Sequence, residues 1–363
     1  MCTPGYVCKM NQPALYLKAV SLLKDLILIP SFSKEEGKTA DLLEQWLQAE
    51  GVAVQRLEHN VWATNLHFDA SKPTILLNSH HDTVKPNKGY TRDPFSADEA
   101  EGKLFGLGSN DAGGALVSLI ALFLHFYKEK NLAWNLVLAA TAEEEISGTK
   151  GIELLYSHLP EISFALVGEP TGMQMAIAEK GLLVLDAYAS GKAGHAAHDN
   201  IINAIYEAMQ DIAWIRQFAF PRVSPLLGKV KMSVTQIDAG TQHNVVPDRC
   251  HFVVDVRVND QYSNREVFEI IDSHTKSEII ARSFRLNASS IPEDHPFVQV
   301  GKQLGCSLYG SPTLSDQALL PCPSLKMGPG DSRRSHQADE FIYLNELEAG
   351  IALYLRLFES FLR

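Results

Sequence analysis

Pro73-Thr74-Ile75-Leu76-Leu77-Asn78-Ser79-His80-His81-Asp82 is a short apolar run, opened by a proline and closed by two histidines and a carboxylate. Such a run is too short for a core helix and suits a buried strand. Two similar runs lie downstream. Asn135 to Thr141 leads into Glu143-Glu144-Glu145, and Phe164 to Gly168 leads into Glu169. Between them, Gly113 to Lys130 and Ile152 to Ser157 read as helices, the first containing an apolar stretch, Ala115 to Phe126, long enough for a buried helix. Strands that are apolar on both faces and alternate with helices predict an α/β fold: a mixed, mostly parallel sheet with helices on both faces.

Upstream of this core, Ala14 to Leu28 reads as a helix ended by Pro30. Ser33 followed by Glu36 has the spacing of a capping box, opening a second helix that runs to Ala49 and stops at Gly51. Val52 to Leu57 and Val61 to His67 are strand-like. After Pro170 the texture changes. Leu182 to Ala189 reads as a strand, Ile201 to Phe218 as a helix, Lys231 to Ile237 and Phe252 to Val258 as strands, Arg265 to Ser277 as a helix, and Ser283 to Ala288 as a strand. Strand-helix-strand-strand-helix-strand is the order of a small two-layer α+β domain. Ile291 to Pro296 then returns the chain to alternation: a helix near Phe297 to Leu304, a strand near Ser324 to Met327, and a last helix from Asn345 to Phe361. The expected division is a catalytic domain of residues 1–174 and 289–363, with residues 175–288 inserted as a dimerisation or lid domain.

The bulk numbers narrow the function. A chain of 363 residues is long for one core, and 45% hydrophobic with 21% charged residues is ordinary for a globular enzyme. A net charge of -11 without a Lys/Arg run is a poor surface for nucleic acid, so no nucleic-acid partner is expected. The five cysteines, Cys2, Cys8, Cys250, Cys306 and Cys322, include no close C-x-x-C pair and read as free thiols. Met1 to Gln12 lacks the apolar core of a secretory signal, and Ala115 to Phe126 is too short to span a bilayer. A cytoplasmic protein without membrane attachment is the expectation.

The chemistry-bearing residues sit at strand ends, where open α/β sheets gather their ligands. His80 and Asp82 can pair as a metal ligand and its orienting carboxylate, or can be a surface His near an Asp. In Gly106-Leu107-Gly108-Ser109-Asn110-Asp111-Ala112-Gly113-Gly114, an Asp stands where a dinucleotide loop needs its third glycine. It would repel a pyrophosphate, so Asp111 is either a helix cap or a carboxylate held among glycines for close metal approach. Three adjacent carboxylates after a buried strand repel one another unless cations compensate, although a solvated helix start would look the same. Glu169 adds one more carboxylate, and His336 a second imidazole after the Ser324 to Met327 strand. Two histidines with several carboxylates and no thiolates suit zinc or a neighbouring divalent metal, and a shared carboxylate permits two ions.

With this ordered set, the chain resembles, over nearly its whole length, the di-zinc metallopeptidase family of acetylornithine deacetylase, succinyl-diaminopimelate desuccinylase, aminoacylase and bacterial glutamate carboxypeptidase. The resemblance implies two Zn2+ per subunit, with Co2+ able to substitute. It implies His80, Asp111 and Glu169 around one ion, and Asp111, Glu145 and His336 around the other. Glu144 would be the general base, with Asp82 beside it in the catalytic set. Gly194-His195 matches a histidine that in this family reaches the partner subunit's site, which implies a homodimer. Asn244-Val245-Val246-Pro247 and Asp255-Val256-Arg257 match the substrate-binding stretch, so that Asn244 and Arg257 would hold the substrate carboxylate.

Two stretches depart from the family pattern, Ala196-Ala197-His198-Asp199 and Thr313-Leu314-Ser315-Asp316, and both concern the substrate pocket rather than the metals. The style is nearest to acetylornithine deacetylase or an N-acyl-citrulline variant, in arginine biosynthesis. Succinyl-diaminopimelate desuccinylase, a dipeptidase and an inactive binding protein are the rivals. The first carries an arginine pair where Glu179-Lys180-Gly181 stands here. The last would be expected to lose Glu144 or a ligand, and none is lost.

Overall fold

The computed structural model describes residues 12–199 and 201–362. The expectations for the extreme N-terminus, Cys2 and Cys8 included, lie outside them. Cys250, Cys306 and Cys322 are free thiols. The chain divides into two compact units, one of Met1–Ile177, Ile291–Tyr309 and Ser315–Arg363, the other of Ala178–Ser290 with Gly310–Leu314.

The first unit is built on a mixed sheet. Its strands follow the order Gln55–Leu57, Asn60–Thr64, Asn135–Thr141, Thr74–His80, Phe164–Val167, Ser324–Lys326, Met175–Glu179. The four from Asn135–Thr141 to Ser324–Lys326 are parallel, and those flanking them antiparallel. The side-chain period of two sends alternate residues to opposite faces. Ile75, Leu77, Leu136, Leu138, Phe164 and Leu166 enter the larger core with the helices Gln12–Ile27, Gly114–Phe126 and Leu344–Phe361. Leu76, Val137, Ala139, Ala165 and Val167 enter a smaller core with Ile152 and Leu155 of a short helix. Every residue of Gly114–Phe126 except His125 is buried, which explains its apolar composition on all sides.

The second unit has a four-stranded antiparallel sheet, ordered Lys231–Ala239, Arg249–Val258, Gly181–Ser190, Glu278–Ala281. Helices Ala204–Gln217 and Asn264–His274 cover one face. Their Ala204, Ala208, Ile215, Val267 and Ile271 pack on Leu183, Leu185, Phe252, Val254 and Val256. Ser263 and Glu266 form a complete capping box at the second helix.

Two local readings of the sequence are corrected. The last strand of this four-stranded sheet is Glu278–Ala281, not Ser283 to Ala288, where the Ser283 Oγ accepts the Arg285 N–H and Asn287 Oδ1 accepts the Asn264 N–H. Ser33 and Glu36 do not form a capping box, because both side chains have distant partners. The Ser33 hydroxyl donates to Asp82 at 2.7 Å, and the buried Glu36 accepts the Lys34 and Glu143 N–H groups at 2.6 and 3.2 Å.

Candidate metal centre

The register of the parallel strands fixes where the acidic residues meet. His80 lies opposite Thr141, Asn78 opposite Val167, and Lys326 opposite Val167. The chain therefore leaves the sheet toward Glu144 and Glu145, toward Glu169 and toward His336 at one edge. Nε2 of the buried His80 has no hydrogen-bond partner. It lies 3.4 Å from Asp111, 3.8 Å from Glu144 and 3.9 Å from Glu169. Its Nδ1 meets the Asp82 carbonyl at 3.0 Å. A proton on Nδ1 donated there leaves the Nε2 lone pair aimed among three carboxylates, the arrangement of a metal-ligating imidazole.

A second cluster adjoins the first. His336 Nε2 lies 2.9 Å from Glu145 and 3.7 Å from Asp111 Oδ2. The ligand atoms of His80, Asp111 and Glu169 all lie within 4.8 Å of one another, and so do those of Asp111, Glu145 and His336. Asp111 belongs to both groups, with Oδ1 toward His80 and Oδ2 toward His336. It stands in a loop with glycine on either side. Gly108 has φ +77, and a Cβ on Gly113 would lie 2.5 Å from the Gly108 carbonyl.

Glu144 belongs to neither group. It lies in the turn Glu144–Ile146, which is entered through Glu143 at φ 57. Asp82 holds this turn in place: its two carboxylate oxygens accept the N–H groups of Glu144 and Glu145 at 3.1 and 3.2 Å. Asp82 thus meets His80 through its backbone carbonyl and, at 3.4 Å, through its carboxylate Oδ1, and the same carboxylate holds the acidic turn.

The charges are poorly matched without cations. Burial, reinforced by the charges of Glu169, Asp316 and Glu145, holds Glu144 well above the ordinary carboxylate range against the pull of His80. Burial and the Asp111 charge push Glu169 up to about 8. Burial alone would lower the His80 imidazole, yet Glu144, Asp111, Asp82 and Glu169 together hold it well above its usual value. His336, bonded to Glu145, stands at about 9. The centre as folded therefore binds protons, and divalent cations would displace them. The N/O donor set, the shared carboxylate and the partnerless Nε2 all fit two such ions.

Two buried carboxylates were not singled out in the sequence. Asp316 accepts Asn78 Nδ2 at 2.7 Å and Thr141 Oγ1 at 2.8 Å, and burial pushes it to about 6. Glu340 accepts three N–H groups of the Asp111 loop. Polar Asn78 and Thr141, buried on largely apolar strands, were a local sign of a buried partner. His81 bonds Thr39 Oγ1 and the His59 carbonyl, both at 2.9 Å, away from the donor set.

In the second unit, exposed His195 pairs with Val245 in a short two-stranded ribbon, and the Asn244 carbonyl accepts the Ala196 N–H at 3.0 Å. Arg257 forms a two-pronged ion pair with Asp255 at 2.9 and 3.1 Å. It faces Lys231 across the sheet, whereas the ribbon follows Ser190, which pairs with Arg249. Eight residues of strand separate Arg249 from Arg257, about 26 Å at ~3.3 Å per residue. The Asn244 and Arg257 of one protomer therefore stand at opposite ends of this sheet, and a single chain does not bring them together.

Residues 76–360 match the model of peptidase family M20/M25/M40. The chain belongs to that family. It is 28% identical to the acetylornithine deacetylase of Proteus mirabilis over 94% of this chain and 96% of that protein. It is 26% identical to a succinyl-diaminopimelate desuccinylase of Cereibacter sphaeroides, over 94% and 98% respectively. Among solved structures, the Bacillus subtilis YxeP protein is described as a dinuclear metal-binding peptidase of the M20 family. It superposes with a TM-score of 0.73 at 18% identity, covering 96% of this chain and 99% of its own. The Bacillus cereus aminopeptidase PepT gives 0.74 at 20% identity, covering 97% and 99%. The fold is that of M20 enzymes, and this member of the family is a metal-dependent hydrolase.

Proposed function

We propose that this M20 hydrolase cleaves the amide bond of an N-acyl amino acid, with N-acetylornithine or an N-acyl-citrulline as substrate, in the cytoplasm and within arginine biosynthesis. One observation carries the reading: two ligand triads share Asp111, and the non-ligand carboxylate Glu144 lies 3.8 Å from His80 Nε2. Zn2+ is the metal best suited to this donor set, with Co2+ a substitute. Two such ions would polarise the amide carbonyl and acidify a bound water. Glu144 accepts the proton of the attacking water on a carboxylate oxygen and passes it to the leaving amine. Asp82 keeps Glu144 and Glu145 in fixed relation by holding their two peptide N–H groups.

His195 acts as a donor to the developing oxyanion. Asn244 and Arg257 hold the substrate carboxylate, and their separation along one sheet supports their coming from two protomers. A homodimer is supported by the long outer strand Lys231–Ala239, which pairs on one side only among the described residues. It exposes Ile237, and the neighbouring helix exposes Tyr206 and Met209.

A succinyl-bearing substrate is a second reading, favoured by one feature. Burial, then the charges of Lys231 and Arg257, lowers the Lys180 ammonium below its usual pKa. Three crowded cations in a chain of net charge -11 suit an additional carboxylate. Amine release from matched N-acetyl, N-succinyl and dipeptide substrates, with zinc or cobalt added, tests both. Turnover of dipeptides alone would overturn the deacylase assignment.

A further inference from the structure

We propose that Glu340 is a positioning residue for Asp111, clamping the backbone that carries the carboxylate shared by the two ligand groups. The inference rests on the di-metal reading above. Glu340 is 2% exposed. One of its carboxylate oxygens accepts the Asn110 and Asp111 N–H groups, both at 2.9 Å, and the other accepts the Gly108 N–H at 3.2 Å. Its own carbonyl accepts the Gly106 N–H at 2.9 Å. Four peptide N–H groups of residues 106–111 thus converge on one residue 229 positions beyond Asp111. Glu340 also follows His336 by four positions. One short segment therefore places His336 directly and Asp111 through its peptide bond.

A carboxylate suits this task because one buried side chain offers two acceptor oxygens, and these take three converging N–H groups of the loop that carries Asp111. An ionised acceptor also makes the stronger bonds. Residues that orient ligands from behind commonly govern metal affinity by 10–100-fold.

Asp339 provides an internal control. It also accepts two N–H groups, Thr91 at 2.8 Å and Arg92 at 2.9 Å, and the Thr91 hydroxyl at 2.5 Å, but the segment it holds, Thr91 and Arg92, is exposed and bears no ligand. E340Q keeps the shape of the side chain, retains one acceptor oxygen and turns an amide donor toward an N–H group. D339N makes the same change one residue away.

The experiment is a titration of metal-free parent, E340Q and D339N with Co2+. It records the number of ions bound, their affinities and the visible absorption of the bound cobalt, with circular dichroism as a check of folding. The expected result is that E340Q binds its second ion about 10–100-fold more weakly with an altered cobalt spectrum, while D339N matches the parent. If E340Q does not fold, E340D keeps the charge but withdraws it by one methylene, and it should show the same weakening to a smaller degree. A folded E340Q or E340D with parental affinity for both ions and a parental spectrum would overturn the proposal. So would equal weakening by D339N. Failure of the di-metal reading would appear separately, as a parent that does not bind two ions.

Discussion

Replacing Asp82 by Asn separates two ways in which this carboxylate can serve the centre. Asp82 is 1% exposed and accepts three hydrogen bonds, from the Ser33 hydroxyl at 2.7 Å and from the Glu144 and Glu145 N–H groups at 3.1 and 3.2 Å. Asparagine keeps one acceptor oxygen and places an amide N–H2 where the second stood. At least one of the two peptide donors is then left facing a donor. A buried unpaired donor costs about 1–3 kcal/mol, and the bond that remains loses its charge assistance, worth roughly another 1 kcal/mol. The metal-loaded protein should therefore lose about 2–4 kcal/mol, read from urea denaturation at saturating zinc. The turn that carries Glu144 is released, so kcat should fall on the order of 100-fold, the typical effect of misplacing a reacting group by 1 Å. The first metal equivalent should be retained, because His80 Nδ1 donates to the Asp82 carbonyl, which the substitution leaves in place. If D82N lost the first metal equivalent while holding kcat per bound ion, Asp82 would be orienting His80 through its carboxylate, and the present account of the turn would be wrong.

The metal-free protein should become less stable as pH rises. Glu169, raised by burial from 4.5 to about 8, takes up a proton on folding, so its contribution worsens between those values. His336, raised from 6.5 to about 9 by its bond to Glu145, gives stability that is complete below 6.5 and lost through 9. Calorimetry of chelator-treated protein should thus show a melting temperature that falls from about pH 5 to about pH 9, and zinc should remove most of the fall; a rise with pH would contradict the charge balance described. His195→Ala should cost about 2.7–4 kcal/mol of transition-state stabilisation, as loss of an oxyanion donor does, with metal content unchanged by elemental analysis. Mixing it with Glu144→Ala protein should recover some activity, and confirmed heterodimers as inactive as their parents would place the histidine's action within one subunit.

The strand ends were legible because the short, continuous apolar runs are local and the parallel register does the rest. His80, Glu145, Glu169 and His336 each follow such a run, and the sheet alone brings them to one edge. What was not legible is held by contacts between distant residues. Asp316 meets Asn78 across 238 positions and Glu340 meets Gly108 across 232; the polar Asn78 signals a buried partner without saying which, and the second bond leaves no local pattern. The same physics explains the misread capping box. Ser33 and Glu36 have the right spacing, but a carboxylate and an N–H group 49 and 107 residues away take their side chains. In the second unit, the strand-helix order was readable from periodicity, whereas the separation of Asn244 from Arg257 depends on which end of a strand each occupies.

The adjacent residues Glu144 and Glu145 allow the central claim to be tested in one comparison of bound metal and turnover. Glu145 lies 2.9 Å from His336 and belongs to a ligand group, whereas Glu144 belongs to none. Glutamine preserves the shape of each side chain but cannot take up a proton at neutral pH. Glu144→Gln should therefore bind two equivalents of zinc and retain substrate while turnover is abolished, and Glu145→Gln should lose metal along with activity. If both substitutions leave activity within a few-fold of the parent, the triplet is a solvated turn and the hydrolytic role assigned to it is wrong.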